Sequence, residues 1–556
     1  MNQQHTTIKS TEIKLNEIHF KPLPAIILSL LLAAFNLYFY LPTLSLRFVG
    51  WVFNLGIILL PLLAVSKFRK YIIGIYALLI AFFVIAPIVS APIFNAENYR
   101  NLIGDVKSTE FTSLVSPIKL DQVPIVDRVF ASSLAEKKLG DDFALGSRVT
   151  LGKPTRQMVK GRLYWVTPLL HSGFYKWLTN IEAGTPGYIM VSATNPQNIE
   201  FVREINGAPV KLKYQPNAYF NQDLHRHLYL HGFMTRGVGD YTFEIDDSGE
   251  PYWTTTVYTH RVGVAGSDAI GLAVVHAGTG KINFYPLERT AKGMSDAAIP
   301  RWIDRVQPVD FVIAQLDWWG QYVHGFWNTK FGKRDVLMVT DGYNIIYGND
   351  EISYFYTGLS SVGSDEGTIG FVLTNTRTKE TQLYRMSGAT EYAAMQSAQG
   401  KVQNYKYIAT FPILVNTNGI PTYFITLKDS AGLVKMFAFV SVKDFSLVGV
   451  GESIKLARDN YLMSLTTSRV GILPEGSSEK IALEGTVSRI GSDAKENRTY
   501  YFISLVETPD KIFIASTDLS SYLPLTQKGD KLSLVYLETQ DKEINLSGFR
   551  NLSMNE

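Results

Sequence analysis

Three long apolar runs near the start of the chain divide it into two unlike parts. The runs cover residues 23–41, 48–65 and 71–94, and none contains an acidic or basic residue. Each is close to the roughly 20 residues that a helix needs to cross a bilayer core. Beyond them, short apolar and alternating strands, polar turns and a few helical stretches follow one another. The pattern predicts three transmembrane helices within 22–94, followed by a large α+β region.

Cations beside the runs predict how the helices are oriented. The flanking cations are Lys9, Lys14 and Lys21 before the first run, Arg47 in the first loop, and SKFRK at 66–70 in the second. Positive loops favour the cytoplasmic side, so residues 1–21 and SKFRK are expected inside. Three crossings then make the protein multi-pass in the cell membrane, with most of the chain extracytoplasmic. A buried helical hairpin or a cleaved signal peptide is disfavoured by three such runs in series.

A strand–turn–strand pattern recurs in the outer region. Residues 270–287 and 369–386 align without gaps at an offset of 99, and 187–202 is a weaker copy. Each has an apolar strand, a polar turn and an alternating strand, which predicts a β-hairpin. A second hairpin pattern is found at 243–258 and 413–428. Helical stretches accompany these hairpins at 126–141, 220–232 and 387–402.

One helix on a short antiparallel sheet is a compact α+β unit, because each element covers the apolar face of the other. We therefore predict repeated helix-on-sheet units within a membrane-anchored α+β chain. The predicted divisions are a cytoplasmic N-terminus at 1–21, the transmembrane region at 22–94, a connector at 95–125, α+β units at 126–204, 205–298 and 335–468, an aromatic helical linker at 299–334, and a small β-barrel at 469–556.

The segment VVHAGTGKINFY, at 274–285, resembles the hairpin of PepSY-type extracytoplasmic domains. In that family a helix packs on strands whose turn reads D-x-x-T-G-x. His276 stands where the pattern prefers Asp, and the other copies in this chain depart further. The resemblance implies a secreted or membrane-anchored module tied to protease inhibition or envelope regulation, without a catalytic centre.

Five short alternating strands in the last part of the chain predict a closed barrel that resembles the OB fold. Such barrels often bind nucleic acid. Residues 476–556 carry nine Lys or Arg against twelve Asp or Glu, and this balance opposes a groove that tracks phosphates. The net charge of the whole chain is +3. No nucleic-acid partner is expected.

Histidines in NQDLHRHLYLHGF, at 221–233, are the candidate metal ligands. In a helix, His227 and His231 are i,i+4 neighbours and could both reach one ion, while His225 would point elsewhere. In a strand, all three would share a face. The alternative is a helix whose histidines lie at its surface and boundary.

The other sequence patterns that can mark a reactive site are either absent from this chain or typical of turns. Cysteine is absent, which removes disulfides, thiolate metal sites and cysteine nucleophiles. HAGTGKI lacks the first Gly and the final Ser or Thr of a phosphate loop. Gly-Ser-Asp at 266–268 and 363–365 indicates turn chemistry rather than a nucleophile. No cofactor is expected.

The linker carries a dense aromatic load that includes Trp302, Trp318, Trp319 and Trp327. These rings either pack between units or form an exposed surface for a partner or for the outer membrane–water boundary.

The leading prediction for the whole chain is a non-catalytic extracytoplasmic scaffold or binding and regulatory protein of the cell envelope. The alternatives are a membrane-bound envelope hydrolase with its site between units, and a ligand sensor. Membrane lipid and envelope proteins are the expected partners, and a homo-oligomer is left open.

Overall fold

The computed structural model describes residues 21–109, 124–141, 145–146, 148–290, 293–348, 352–361, 367–417, 419–467, 480–495, 498–517, 519–537 and 542–554. The expected cytoplasmic N-terminus, up to residue 20, lies outside the described residues, as do residues 110–123 of the connector and the Gly-Ser-Asp at 363–365. The described chain is a mixed α+β structure made mostly of sheets.

Four helices form the amino-terminal part. They are α1 Pro22–Phe35, which continues as a π-helical turn Asn36–Tyr40, α2 Gly50–Leu63, α3 Ser66–Val89 and α4 Pro92–Arg100. Within the described residues, two stretches are long and apolar enough to cross a membrane, Pro22–Tyr40 and Ser66–Val89. The buried share is 17% in Pro22–Tyr40 and 11% in Ser66–Val89, so most of their apolar side chains are exposed.

The expectation of three membrane-length helices was therefore wrong. The middle helix, α2, has 14 residues, or roughly 21 Å at 1.5 Å per residue, which is short of a core of about 30 Å. The physical reason is that Phe48 and Val49, from the second apolar run, lie outside the helix. Phe48 instead packs on Tyr258 and His260. The residues SKFRK, at 66–70, form the first turns of α3 rather than a loop between two helices.

The next elements build a helix-covered sheet. They are α5 Arg128–Gly140, β2 Val149–Leu151, β3 Thr155–Val159, β4 Arg162–His171, α6 Phe174–Thr179, β5 Tyr188–Ser192 and β6 Ile199–Val202. Before them in the chain, β1 Val106–Ser108 belongs to the third sheet, and after them β7 Glu204–Ile205 and β8 Ala208–Pro209 form a separate two-stranded sheet. Strands β2-β4-β5-β6, with β3 also paired to β4, form a five-stranded sheet. Helix α5 begins where the Asp127 side chain accepts the Phe130 N–H and packs Ala131 and Ala135 on one face.

A second sheet packs on the other face of the first. This part of the chain contains a 3-10 turn Phe220–Gln222, α7 Leu224–Leu228, a π-helical turn Tyr229–Phe233, β9 Gly237–Ile245, β10 Pro251–Val262, β11 Ala265–His276 and β12 Ile282–Pro286. The strands β13 Glu288–Thr290 and β14 Gly293–Ser295 follow and form a separate two-stranded sheet. The order of the second sheet is β12-β11-β10-β9. One core joins Val166 and Tyr188 of the first sheet to Phe243 and Trp253 of the second.

The third and fourth sheets share a core with one helix. Their elements are α8 Val309–Gln321, α9 Gly325–Trp327, a π-helical turn Asn328–Gly332, β15 Leu337–Val339, β16 Asn344–Tyr347, β17 Ser353–Ser361, β18 Gly367–Asn375, β19 Thr381–Ala389, α10 Glu391–Lys401, a 3-10 turn Gln403–Tyr405, β20 Ile408–Ala409, β21 Ile413–Thr417, β22 Ile420–Lys428, β23 Val434–Ser441, β24 Val448–Gly451 and α11 Ile454–Thr467. The orders are β1-β19-β18-β17-β15, with β16 on β17, and β20-β22-β23-β24, with β21 on β22. The predicted unit at 335–468 thus holds two sheets, and α10 packs in one core with both.

The carboxyl-terminal strands close into a barrel, as the pattern predicted. They are β25 Lys480–Lys495, β26 Arg498–Leu505, β27 Ile512–Ser516, β28 Lys531–Leu537 and β29 Glu543–Asn551, with a 3-10 turn Leu523–Leu525. The closed order is β25-β26-β27-β29-β28, and β27 and β29 run parallel. Its core contains Val487, Ile503, Phe513 and Leu534.

In each of the four sheets that precede the barrel, a side chain at the start of the last hairpin turn accepts a hydrogen bond from the turn backbone. The acceptor takes the N–H three residues on: Ser192 Oγ from Asn195 at 3.2 Å, His276 Nδ1 from Thr279 at 3.2 Å, Asn375 Oδ1 from Thr378 at 3.0 Å, and Ser441 Oγ from Asp444 at 3.2 Å. The predicted hairpins at 187–202, 270–287 and 369–386 are confirmed. A fourth copy, at 434–451, was missed because its turn lacks the Thr of the other two close copies.

The helices and the rest of the chain meet at three places. We call residues 22–91 the anchor and the described residues after 91 the body. Tyr38 Oη donates to Asn221 Oδ1 at 3.0 Å. Leu44 N–H donates to the Met234 oxygen at 2.7 Å. At the end of α3, the Ser90 hydroxyl accepts the Val264 N–H at 3.0 Å from the β10–β11 hairpin. The anchor and body are therefore hydrogen-bonded together.

Candidate functional site

His227 and His231 lie side by side, as the helical spacing predicted. Helix α7 begins at the Asp223 cap and the chain kinks at His231 and Gly232. The two imidazole centroids are 4.4 Å apart. The His227 Nε2 is 2.7 Å from the Gly280 oxygen, and the His231 Nδ1 is 2.7 Å from the His227 oxygen. Each of these nitrogens therefore donates to a carbonyl, which leaves His227 Nδ1 and His231 Nε2 free to accept.

Both histidines line an open cleft of about 610 Å³. Its other polar lining includes Arg236 and Lys281, and Phe284 forms an apolar wall. Burial lowers the pKa of His227 below its ordinary value. Ring N–H groups bonded to carbonyls are the usual support for metal-bound histidines, but the two cations repel an incoming metal ion.

Within the described residues, no group of three or more His, Asp or Glu side chains is arranged to hold a metal ion. The metal site at His227 and His231 stays a prediction. Zn²⁺ titration of His231→Ala beside the unchanged chain tests it, because this substitution removes a free imidazole nitrogen. The loss of a saturable Zn²⁺ signal would support the site.

Three of the four linker tryptophans are partly buried against neighbouring elements. Trp302 packs on Tyr252 with ring centroids 4.9 Å apart, and Trp318 meets Tyr99 edge-on at 4.7 Å. Trp319 packs against the core under the third sheet. These three rings connect elements, which agrees with the packing interpretation. The proposed binding surface at Trp302, Trp318, Trp319 and Trp327 stays a prediction.

Trp327 differs from the other three because it is 60% exposed. Its ring stacks on Phe331 at 5.8 Å, with the planes 14° apart, and Phe331 is itself 78% exposed. Lys330 lies over the neighbouring Phe326 ring at 5.9 Å. Phe326 packs with Tyr99 of α4, next to the end of α3. An aromatic and basic surface therefore lies close to the point where the anchor ends.

A second cluster, which sequence reasoning missed, lies at the junction of the first three sheets. We call Arg156, Glu244, Asp304, Arg305 and Tyr347 the buried junction. The Asp304 Oδ2 accepts from the Met158 N–H at 2.6 Å and from the Tyr347 hydroxyl at 3.0 Å. The Arg305 Nη2 donates to the Arg156 oxygen at 2.9 Å. Its members come from segments far apart in sequence, so no local motif could have revealed it.

The pKa values of both carboxyl groups in the buried junction are raised, and burial is the largest cause in each. Burial, followed by the nearby Asp304 charge, raises the pKa of Glu244 to about 8. Burial raises the pKa of Asp304 to about 6, although the hydrogen bond from Met158 opposes this shift. Glu244 Oε1 accepts from the Thr254 hydroxyl at 3.4 Å, and Oε2 has no partner among the described groups.

Shifted carboxyl groups often mark catalytic sites, but the exposure of these groups decides what they can do. Glu244 is 1% exposed and Asp304 is 7% exposed. A substrate cannot reach either oxygen without separating the sheets. The arrangement shown therefore supports a structural polar contact between units.

No protein-family model matches the chain, and no curated protein matches it either.

Proposed function

We propose that the chain is a membrane-anchored scaffold or binding protein of the cell envelope, with its body outside the membrane. The observation that carries this proposal is the bonded contact between the anchor loop and the body. Arg47 donates to the His260 oxygen at 2.7 Å, and the Tyr229 hydroxyl donates to the Pro42 oxygen at 2.9 Å. These bonds support a body that keeps a fixed position relative to the anchor. A surface with a defined position suits a protein that positions other proteins.

The arrangement of the anchor supports the proposed orientation. The end of α1, the loop before α2 and the end of α3 all contact the body. The first turns of α3 lie at its other end, and its 24 residues span roughly 36 Å. The cations Lys67, Arg69 and Lys70 are therefore far from the body. Because cations favour the cytoplasmic side, this separation supports an extracytoplasmic body.

The hairpin turns support the proposed likeness to PepSY-type domains. That pattern prefers Asp at the position of His276. The Nδ1 of His276 accepts two turn N–H groups, from Gly278 at 3.0 Å and Thr279 at 3.2 Å, as an Asp carboxylate would. The order of the terminal barrel, with β27 parallel to β29, is in keeping with the proposed OB-like architecture.

Position-specific crosslinking tests the proposed function. A photo-crosslinking amino acid at Trp327 reports on proteins beside the exposed aromatic surface in intact cells. The matched control is Tyr405, which is 64% exposed and stacks on Tyr407 next to β20. We expect discrete protein adducts from Trp327 and few from Tyr405. Monomer alone at both positions would overturn the scaffold proposal.

Cysteine labelling tests the orientation separately, because the chain has no cysteine of its own. Lys67→Cys and Tyr405→Cys place single thiols at exposed positions in the anchor and the body. In spheroplasts, a membrane-impermeant maleimide is expected to label Tyr405→Cys before lysis and Lys67→Cys only after lysis. The opposite order would place the body inside the cell and remove the proposed role.

The hydrolase alternative stays a prediction, and at the buried junction it would require the sheets to separate, because Glu244 and Asp304 are closed to a substrate in the arrangement shown. Glu244 and Asp304 supply two carboxyl groups with different pKa values, which general acid–base catalysis uses. Glu244→Gln removes the titratable group and keeps the shape of the side chain. If the chain is a hydrolase of this kind, peptidase and glycosidase activity in the purified protein would be lost in Glu244→Gln and kept in Glu182→Gln.

A further inference from the structure

An exposed aromatic patch lies beside the end of α1. It consists of α6 residues Phe174, Tyr175 and Leu178 with the turn residues Tyr219 and Phe220, and we call it the aromatic foot. Tyr175 is 80% exposed and Phe220 is 46% exposed. The patch is continuous, since Phe174 meets Tyr219 at 5.1 Å and the Trp177 ring meets Phe220 at 5.8 Å. Contiguous exposed aromatic surface of this kind generally marks a contact site.

The aromatic foot is held in place by hydrogen bonds beneath it. The Trp177 Nε1 donates to the Gln222 Oε1 at 2.7 Å, and the Gln222 Nε2 donates to the Ile181 oxygen at 2.9 Å. These bonds join α6 to the turn that carries Phe220. The exposed rings of α6 and of this turn are therefore fixed relative to one another.

Phe220 also has an unusual backbone conformation. Its φ angle is +51°, in the left-handed region that bulky residues rarely occupy. Such conformations persist where surrounding contacts impose them, and they cluster at binding sites. Here the Arg226 Nη1 donates to the Phe220 oxygen at 2.7 Å. The fold thus maintains an unfavourable backbone conformation at a residue that is 46% exposed.

The same arginine connects the aromatic foot to the end of α1. Its Nε donates to the Tyr38 oxygen at 2.7 Å, and the Tyr38 hydroxyl donates to Asn221, the neighbour of Phe220, at 3.0 Å. Tyr38 lies within the three aromatic residues that end the first membrane-length stretch. Tyrosines at the end of such a stretch lie at the membrane–water interface. Phe220 therefore lies beside the residues that contact the end of this stretch.

We propose that the aromatic foot inserts into the interfacial layer of the bilayer that the anchor crosses. Tyr and Phe rings suit this layer, because their faces are apolar and the tyrosine hydroxyl can stay hydrated. Lys176 is half-buried in the same helix, and its long stem can keep the charge among the lipid headgroups. The inference rests on the proposed membrane anchoring and adds a second, monotopic contact. It explains why the body bonds so closely to the end of α1.

Depth-dependent fluorescence quenching in lipid nanodiscs tests the proposal on the full chain. Tyr175→Cys, labelled with an environment-sensitive fluorophore, is compared with Tyr405→Cys in phosphatidylcholine that carries a quencher near the headgroup or deep in the acyl chains. We expect several-fold stronger headgroup-level quenching at position 175 than at position 405. Leu178→Cys, labelled in the same way, provides a second probe on the aromatic foot and is expected to match position 175.

A label in α3 separates failure of this proposal from failure of the anchoring itself. Leu78 is 73% exposed and lies in the middle of the second membrane-length stretch, so Leu78→Cys is expected to be quenched from the acyl chains. If position 78 is quenched while positions 175 and 178 behave like position 405, the aromatic foot does not enter the bilayer. If position 78 is not quenched, the proposed anchoring fails and this inference fails with it.

Discussion

The guanidinium of Arg226 joins the body to the end of the first helix by two interactions with Tyr38. Its Nε donates to the Tyr38 main-chain oxygen at 2.7 Å, and its plane lies over the Tyr38 ring at 4.7 Å. The last carbonyls of a helix lack partners within the helix, and a cation is favourable beside them. Arg226 therefore satisfies a carbonyl at the end of the first membrane-length stretch and fixes the neighbouring segment of the body at the same time.

Replacement of Arg226 by alanine is expected to loosen the anchor from the body without unfolding either. Loss of a charged hydrogen bond costs about 1.5–3 kcal/mol. The Leu44 N–H, bonded to the Met234 oxygen at 2.7 Å, reports this opening. We expect its hydrogen exchange, measured by mass spectrometry in detergent, to accelerate at least about tenfold, because 1.4 kcal/mol corresponds to a factor of ten.

The matched control for this experiment is Arg236→Ala. Arg236 lies over the Phe284 ring at 5.1 Å and lines the histidine cleft rather than the anchor contact. Its removal is expected to leave Leu44 exchange unchanged. Equal acceleration in both variants would mean that Arg226 does not hold the anchor to the body.

The buried junction predicts that body stability falls as pH rises. The folded-state pKa of Glu244 is about 8, against an ordinary value of 4.5. Between these values the folded state binds more protons than the unfolded state, so stability is greatest at low pH and is lost towards pH 8. Each pKa unit corresponds to about 1.4 kcal/mol, so the loss is on the order of a few kcal/mol. Glu244→Gln should remove most of it.

Urea unfolding at pH 5, 7 and 8.5, followed by tryptophan fluorescence, measures this effect. Glu182→Gln is the control, because the Glu182 side chain is 93% exposed and its removal should keep the original pH dependence. Asp304, with a pKa of about 6, leaves a smaller dependence of the same sign in Glu244→Gln. A pH profile identical in both variants would contradict the role of Glu244.

The capped hairpin turns predict that asparagine in place of His276 preserves the stability of the body, whereas alanine lowers it. Asn375 fills the equivalent position in the next repeat and accepts from the Arg377 N–H at 2.8 Å and the Thr378 N–H at 3.0 Å. His276→Asn is therefore expected to change the free energy of unfolding by less than about 0.5 kcal/mol. His276→Ala leaves both turn N–H groups without that acceptor and should cost about 1 kcal/mol.

Chemical denaturation of both variants checks this prediction. Asn375→Ala serves as the matching test in the neighbouring repeat and is expected to show a loss of similar size. If His276→Asn destabilises as much as His276→Ala, the contact between His276 Nε2 and Glu250 at 3.3 Å, rather than the turn, would explain why histidine stands there.

Local patterns predicted the hairpins, several helices and the barrel because each depends on residues near one another in sequence. The helical stretch predicted at 387–402 contains α10, which begins where the Thr390 hydroxyl accepts the Ala393 N–H at 3.2 Å, and threonine is a common residue at this capping position. The i,i+4 spacing also brought His227 and His231 together.

Long-range contacts decide the features that the patterns could not indicate. The second apolar run is long enough for a membrane helix, yet packing of Phe48 on His260 shortens it, and these residues are more than 200 positions apart. Glu244 and Asp304 are close only because three sheets meet. Likewise, β1 enters the third sheet beside β19, so the connector takes part in a unit far along the chain.

A buried ion pair between two repeats provides the last prediction. The Lys379 Nζ donates to the Asp268 Oδ1 at 2.6 Å and to the Leu102 oxygen at 2.7 Å. Asp268 is fully buried and Lys379 is 1% exposed. Arg261 and Arg289 lie 3.4 and 3.8 Å from the other Asp268 oxygen. The aspartate therefore has three cationic neighbours, whereas the lysine has one described carboxylate.

Because of this asymmetry, Asp268→Asn is expected to destabilise the body more than Lys379→Met. The first leaves a buried ammonium without its counter-ion, which typically costs 3–5 kcal/mol. The second removes the buried charge, and Arg261 and Arg289 still compensate Asp268, so the loss should be smaller by about 1–2 kcal/mol. Urea unfolding of the two variants and of the double variant measures both losses and their coupling. A larger loss for Lys379→Met would show that the arginines do not compensate Asp268.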